Sequence, residues 1–514
     1  MRVLREMTRL WFLGLLTLLT PAKTLAADWP VCSAAEIRSV MQMAQPGDTL
    51  VMCNGVWTNQ PIVFEGDGEE GKPITLRAET PGQVILTGSS SLKMGGTYLI
   101  VDGLYFTGGA LTQFGANAVV EFRSRASRHC HYCRLTNTVI EDYNPVEDPS
   151  RPRDEFRYRW VSLYGTHNWV DHSGFTGKTN AGSLLVVVRR TVDNQLTDEP
   201  QHHKIERNYF KDRPFLGRDA EGNLINGGDI ITIGESGNSL SDSLTTVESN
   251  VFERCDGEVE LISSKSGGNK FLYNTFIDSQ GTLTLRHGNG ALVAGNFFFG
   301  NDQPDTGGVR VIGEDHVVIN NYFSGIAGSA DTFRSAVNLF NGVPNSPLNG
   351  HFQVKNAVIA FNTFVDNQRN IIIGGGKNNQ RTLPPLDSKI ANNIVVRVTG
   401  PDTPCLINVV DEPINMTYEG NIMYGACLGV PPVSGIDMID PNLALSDDGL
   451  YRPATGSWAI DRAVGDYPVV TTDMDGQPRD DGFKDVGADE LSTASITRRP
   501  LTPEDVGAPW FRQP

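Results

Sequence analysis

Residues 247–298 read VESNVFERCDGEVELISSKSGGNKFLYNTFIDSQGTLTLRHGNGALVAGNFF, and what recurs within them decides the fold. Three times an apolar residue is followed by two variable ones, an asparagine, any residue and an aromatic. The copies are Val247 with Asn250 and Phe252, Phe271 with Asn274 and Phe276, and Val293 with Asn296 and Phe298. Outward from there the unit continues at Ile205 with Asn208 and Phe210, at Asn321 with Phe323, and at Asn362 with Phe364, with weaker copies at Asn393 and Asn421. The asparagines are spaced 42, 24, 22, 25, 41, 31 and 28 residues apart. A repeat of this length marks a solenoid. Each unit is too small to bury its own apolar face, so the units must stack. Short β-branched runs between Gly, Asn and Asp make the stacked elements strands. The expected fold is all-β, a parallel β-helix, with asparagines stacked at a turn and phenylalanines stacked inside. The two long spacings are turns with insertions, or two turns with one copy degraded.

The flanks fit a solenoid with covered ends. Ser33-Ala34-Ala35-Glu36 is a capping box, and Ile37, Val40, Met41 and Ala44 follow at helical spacing. A short N-terminal helix here would cap the first turn. Beyond Gly429 the periodicity fades, and the stretches 473–476 and 485–490 read as closing loops. The polar, proline-bearing stretch 491–514 reads as a tail lying along the outside or loose. Residues 1–26 resemble a secretory signal: Arg2, Arg5 and Arg9, then an apolar run from Leu10 to Leu19, then Thr24-Leu25-Ala26. The expected organisation is a leader at 1–26, a β-helix catalytic domain at 27–490 and the tail at 491–514. The apolar run is too short to span a bilayer, so the chain reads as exported, secreted or periplasmic. Seven cysteines leave at least one thiol unpaired within the chain. Cys32 and Cys53 are candidates for a bridge. Cys130 and Cys133 have zinc-like or redox-like spacing, but no second pair completes a zinc site, so a disulfide or buried thiols is the favoured reading over metal or redox. The net charge of −17 argues against nucleic acid. A polyanionic substrate would need a locally positive cleft.

The chemistry concentrates in the same stretch. Strand alternation puts Glu258 and Glu260 on one face, with Val259 and Leu261 on the other. In Thr282-Leu283-Thr284-Leu285-Arg286 the leucines go inward. Lys265, Arg286 and Arg310 are each about one turn apart, so these cations are expected to stack on neighbouring strands roughly 5 Å apart. Asn226 lies about one turn plus a loop upstream of Glu258. Two carboxylates and an amide oxygen on a rigid surface suit a hard cation, calcium above all. An equal alternative is that Glu258 and Glu260 only neutralise Lys265 and Arg286 in a surface ladder.

The stretches NGGDIITIGES (226–236), CDGEVELISSKS (255–266), GTLTLRHGN (281–289) and GGVRVIG (307–313) resemble polysaccharide lyase family 6, which contains alginate lyases and chondroitinase B. The resemblance extends from the first turn to Glu490. It implies a right-handed parallel β-helix, calcium held by Asn226, Glu258 and Glu260, Lys265 as general base and Arg286 as acid. It implies substrate contacts at His287 and Arg310. This sequence departs from the family pattern at Thr232, where an arginine is expected, and at Asp229, where a glutamate is expected. The implied activity is β-elimination on a uronate polymer, with alginate the first choice and dermatan sulfate the second. Rival readings are a uronate epimerase, which starts from the same proton abstraction, and a non-enzymatic glycan binder. Whether cutting is internal or terminal depends on loops that could wall the cleft. The insertion between Asn208 and Asn250 and the segment 367–386 are the candidates.

Overall fold

The structure, a computed structural model, describes residues 26–111, 118–146, 157–219, 221–398, 405–480 and 482–511. The leader-like segment therefore lies, apart from Ala26, outside the described residues. Three long sheets of 14, 14 and 15 strands run the length of the chain. Each turn gives one strand to each. Thr246–Glu248, Val251–Cys255 and Glu260–Lys265 form one turn, and Lys270–Leu272, Thr275–Ile277 and Thr282–His287 pair with them in parallel in the next. This is the expected parallel β-helix.

The asparagine copies sit at one corner. Each follows a residue in the left-handed region, such as Arg207, Ser249, Tyr273, Asn320 or Phe361. That conformation is unfavourable for a bulky side chain, and the ladder beside it supplies the compensation. The Oδ1 of Asn274 accepts the backbone N–H of Asn250 at 3.0 Å, and the Asn274 Nδ2 donates to the carbonyl of Val247 at 2.9 Å. The column runs from Asn208 to Asn421, buried throughout. Inside it, Phe175, Phe210, Phe252, Phe276, Phe298, Phe323 and Phe364 stack face to face at 4.5–5.2 Å. Phe210 pairs directly with Phe252, and Phe323 with Phe364. The long spacings are therefore single turns carrying insertions.

Both ends are closed. Helix Ala34–Val40 has Ser33 as its cap and buries Ile37 against the first turn, where Cys32 bridges Cys53. A second bridge, Cys405 to Cys427, joins late turns, while Cys130, Cys133 and Cys255 are buried thiols. The segment after the last helical strand packs Leu450, Ala459, Met474, Val486 and Ala488 against the outside of a sheet at Phe297, Val365, Ile394 and Ile422. The tail then runs back along the exterior. Leu501 N–H donates to Thr275 Oγ1 at 2.8 Å, Gly507 N–H to the Arg207 carbonyl at 2.8 Å, and Trp510 Nε1 to the Asn137 carbonyl at 2.9 Å.

Candidate active site

The 15-stranded sheet carries the functional face. Along it lie Arg159–Leu163, Leu185–Val187, Ile231–Ile233, Glu260–Lys265, Thr282–His287, Val309–Val311 and Val337–Phe340. Over its earlier strands is a groove of about 560 Å³, lined by Arg123, Arg157, Arg159, Arg190, Asn226, Asp229, Thr232, Glu235 and Lys265 among others. Basic side chains outnumber acidic ones there, so an acidic protein does present a locally positive cleft.

Beside the groove three carboxylates converge, of which Asp229 lines it. Oxygens of Asp229, Glu258 and Glu260 all lie within 4.8 Å of one another. Alternation does not carry both acids as expected. Glu258 and Val259 lie in a bend before strand Glu260–Lys265, Val259 stays half-buried outside the core, and only Leu261 enters the core, next to a register shift between Glu260 and Ile262. Asp229 arrives from the neighbouring turn through the Asn226-Gly227-Gly228 loop. The Gly227 and Gly228 amides donate to Glu258 Oε2 at 3.0 and 3.3 Å. A side chain on Gly228 would collide with the Gly257 backbone, so only glycine lets the two loops approach this closely. The three acids are held differently. Glu260 accepts from Arg310 Nη2 at 2.5 Å and lies 3.6 Å from Arg286 Nε. Burial opposes its ionisation, but Arg310 and Arg286 outweigh that and hold it below the ordinary carboxylate range. Among the described residues Glu258 has no ion-paired cation. Burial, then the charge and hydrogen bond of Asp229, push it up to about 9. Asp229 is also raised, chiefly by burial. A pair of buried acids sharing one proton is thus left beside a compensated third.

The cation column differs from expectation. Lys265 pairs in register with His287, because a register shift falls between Ser264 and Lys265. Arg310 pairs with Thr284. Lys265, Arg286 and Arg310 therefore do not stack in one file. The expected ion-pair ladder holds for Glu260 alone, which pairs with Arg286 as expected and with Arg310 in place of Lys265. Of the expected site residues, Lys265 and Asn226 line the groove. Arg310 is 3% exposed at its side chain and lies beneath Phe333 and Phe340, facing Glu260. His287 is also buried, with Nε2 3.3 Å from Ser236 Oγ and Nδ1 3.3 Å from Arg286 Nη1. Burial, then Arg286 and Lys265, push its pKa down to about 3, so the ring is neutral near pH 7. Sequence reasoning missed Asp229 as a member of the acid cluster. The signal was there: an acid three residues after Asn226, in a glycine-bearing loop entering the strand before Glu260.

The chondroitinase B family profile matches residues 31–442. The chain belongs to the chondroitinase B family. This is polysaccharide lyase family 6, whose solved members share the architecture. The PL6 family alginate lyase AlyGC is 35% identical over 94% of this chain, with a TM-score of 0.77; the chain spans 59% of that protein's length. A mannuronic acid specific family 6 lyase from human gut microbiota is 30% identical over 77% of this chain and 86% of its own, with a TM-score of 0.65. The family 6 lyase Pedsa3628 from Pseudopedobacter saltans is 26% identical over 94% and 99%, with a TM-score of 0.66. Among curated proteins none matches.

Proposed function

We propose that this protein is an exported lyase that cleaves alginate by β-elimination, with calcium at Asp229, Glu258 and Glu260 and Asn226 at the rim. The observation that carries the reading is the placement of Lys265 in an arginine-lined groove beside an acid cluster in which Glu258 and Asp229 are both held above the ordinary carboxylate range. The similarity to AlyGC, an alginate lyase, and to the mannuronic acid specific gut lyase supports the substrate. Among the described residues no helix is long and apolar enough to cross a membrane.

The donor set fits calcium: hard oxygen ligands, two of them acids whose mutual repulsion a divalent ion would relieve. Bound there, calcium would withdraw charge from the substrate carboxylate and so acidify the proton on carbon 5. Lys265 takes that proton. The bond from carbon 4 to the glycosidic oxygen breaks, a double bond forms between carbons 4 and 5, and the leaving oxygen gains a proton from solvent. Arg286, its Nη1 and Nη2 held by the Gly350 and Asn349 carbonyls, would stabilise the developing negative charge through its fixed positive charge and not by acid catalysis, because guanidinium barely deprotonates. Arg310 serves from below by keeping Glu260 ionised. His287, neutral, props Arg286.

The test is ultraviolet absorbance of the conjugated uronate as the protein meets alginate, with calcium and then with a chelator, and dermatan sulfate as the parallel arm. A calcium-dependent rise on alginate is expected. A rise on dermatan sulfate alone would replace the substrate, and no rise on either would contradict elimination.

A further inference from the structure

A β-helix repeats the same face turn after turn, which favours a long trough open at both ends. Here the trough stops. Before Lys265 the groove is open and basic, with Arg123, Arg157, Arg159 and Arg190 along it. One strand beyond, an insertion in the turn between Asn321 and Asn362 folds back over the sheet. The Arg286 Nη1 donates to the carbonyl of Gly350 at 2.6 Å and its Nη2 to that of Asn349 at 3.1 Å. Ser239 Oγ, in the loop after strand Ile231–Ile233, donates to the carbonyl of Leu348 at 2.9 Å. The base of the insertion is pinned as well. Val343 N–H donates to the His351 carbonyl at 2.8 Å, Gly342 and Leu383 exchange backbone bonds at 2.8 and 3.0 Å, and Gln353 Nε2 donates to the Pro384 carbonyl at 2.7 Å. Past it, Thr284, Arg310 and Asn338, which follow one another in register up the sheet, are all buried, Arg310 against Phe333 and Phe340 and Asn338 donating to the Thr332 carbonyl at 2.7 Å.

We infer that residues 341–353 form a fixed wall that confines the polymer to one side of the reacting sugar and makes the enzyme cut from chain ends. The inference rests on the lyase reading above. Tethers at tip and base distinguish a wall from a loop that swings aside. The sheet advances only about 5 Å per strand. With Arg286 capped on the strand next to Lys265, the space beyond the scissile bond is therefore about one strand deep. A polymer passing through the site in both directions has no surface to lie on past Thr284. The many arginines on the open side then hold the body of the chain.

The experiment is digestion of alginate by the calcium-loaded protein, followed in one sample by ultraviolet absorbance, size-exclusion profile and viscosity. The expected result is one short unsaturated product from the earliest points while the polymer peak keeps its position and viscosity lags far behind absorbance. A broad oligomer ladder with an early collapse of the polymer peak would overturn the inference while leaving the lyase reading intact. No absorbance rise would overturn both. In a second variant, residues 345–349 are replaced by two glycines, with a melting curve to establish folding. This variant should shift to internal cutting, and an unchanged product size in the folded variant would show that the wall does not set the outcome. Should it fail to fold, the wild-type profile decides alone.

Discussion

Two buried polar arrays run through this molecule, and they are opposites. In the asparagine column each side chain gives and takes hydrogen bonds from the turns on either side, so burial costs little. In the carboxylate cluster, Glu260 is matched by Arg310, but Glu258 and Asp229 face each other. Buried polar groups that satisfy one another hold a fold together; buried acids that do not are poised for something that arrives from outside. The contrast separates scaffold from site without reference to any relative.

Changing members of each array should sharpen the contrast. The largest effect is expected from Arg310→Met. It leaves Glu260 buried without its partner, at a cost of about 3–5 kcal/mol, read as a fall in melting temperature. Calcium should restore part of it, because a cation substitutes for the lost charge. Asn274→Ala should cost about 2–3 kcal/mol, since it strands the Asn250 amide and the Val247 carbonyl. No calcium should restore that loss, and calcium affinity by calorimetry should be unchanged in the folded fraction. A calcium-sensitive Asn274→Ala protein would break the distinction.

Glu258→Gln should act in the opposite direction. The folded value near 9 lies above the ordinary 4.5, so the wild-type metal-free protein carries no penalty below pH 4.5 and loses stability as pH rises toward 9. At pH 6 the penalty is about 2 kcal/mol, and the glutamine variant escapes it. Metal-free Glu258→Gln is therefore expected to melt higher than wild type at pH 6 and equally at pH 4. With calcium the order should reverse. A variant that melts lower than wild type without calcium would contradict the account of the cluster.

The scaffold was legible because its signal is local. An asparagine two residues before an aromatic, repeated, needs no knowledge of path, and stacking follows from the period. Glu258, Glu260 and Lys265 were legible for the same reason, lying on one strand or beside it. What depends on how irregular chain returns to the sheet was not. Asp229 enters through a long inserted turn, and the wall at 341–353 lies in another. Of the two segments expected to wall the cleft, 367–386 supplies Leu383 and Pro384 to pin the base, and the insertion before Asn250 supplies Ser239. The segment that covers Arg286 was not read. Register was the other gap: one shift after Ser264 sets Lys265 opposite His287, and counting residues does not reveal a shift. The bridge between Cys405 and Cys427 likewise depends on which late turns stack.

The most direct measurement compares wild type with Lys265→Met, both shown by calorimetry to bind calcium, for the rate of ultraviolet absorbance rise on alginate. Removing a general base costs about 10²–10⁴-fold in rate, so the account predicts a loss of that size with calcium binding retained. A Lys265→Met protein that binds calcium and eliminates at the wild-type rate would contradict it, because the proton on carbon 5 would then be leaving to some other group.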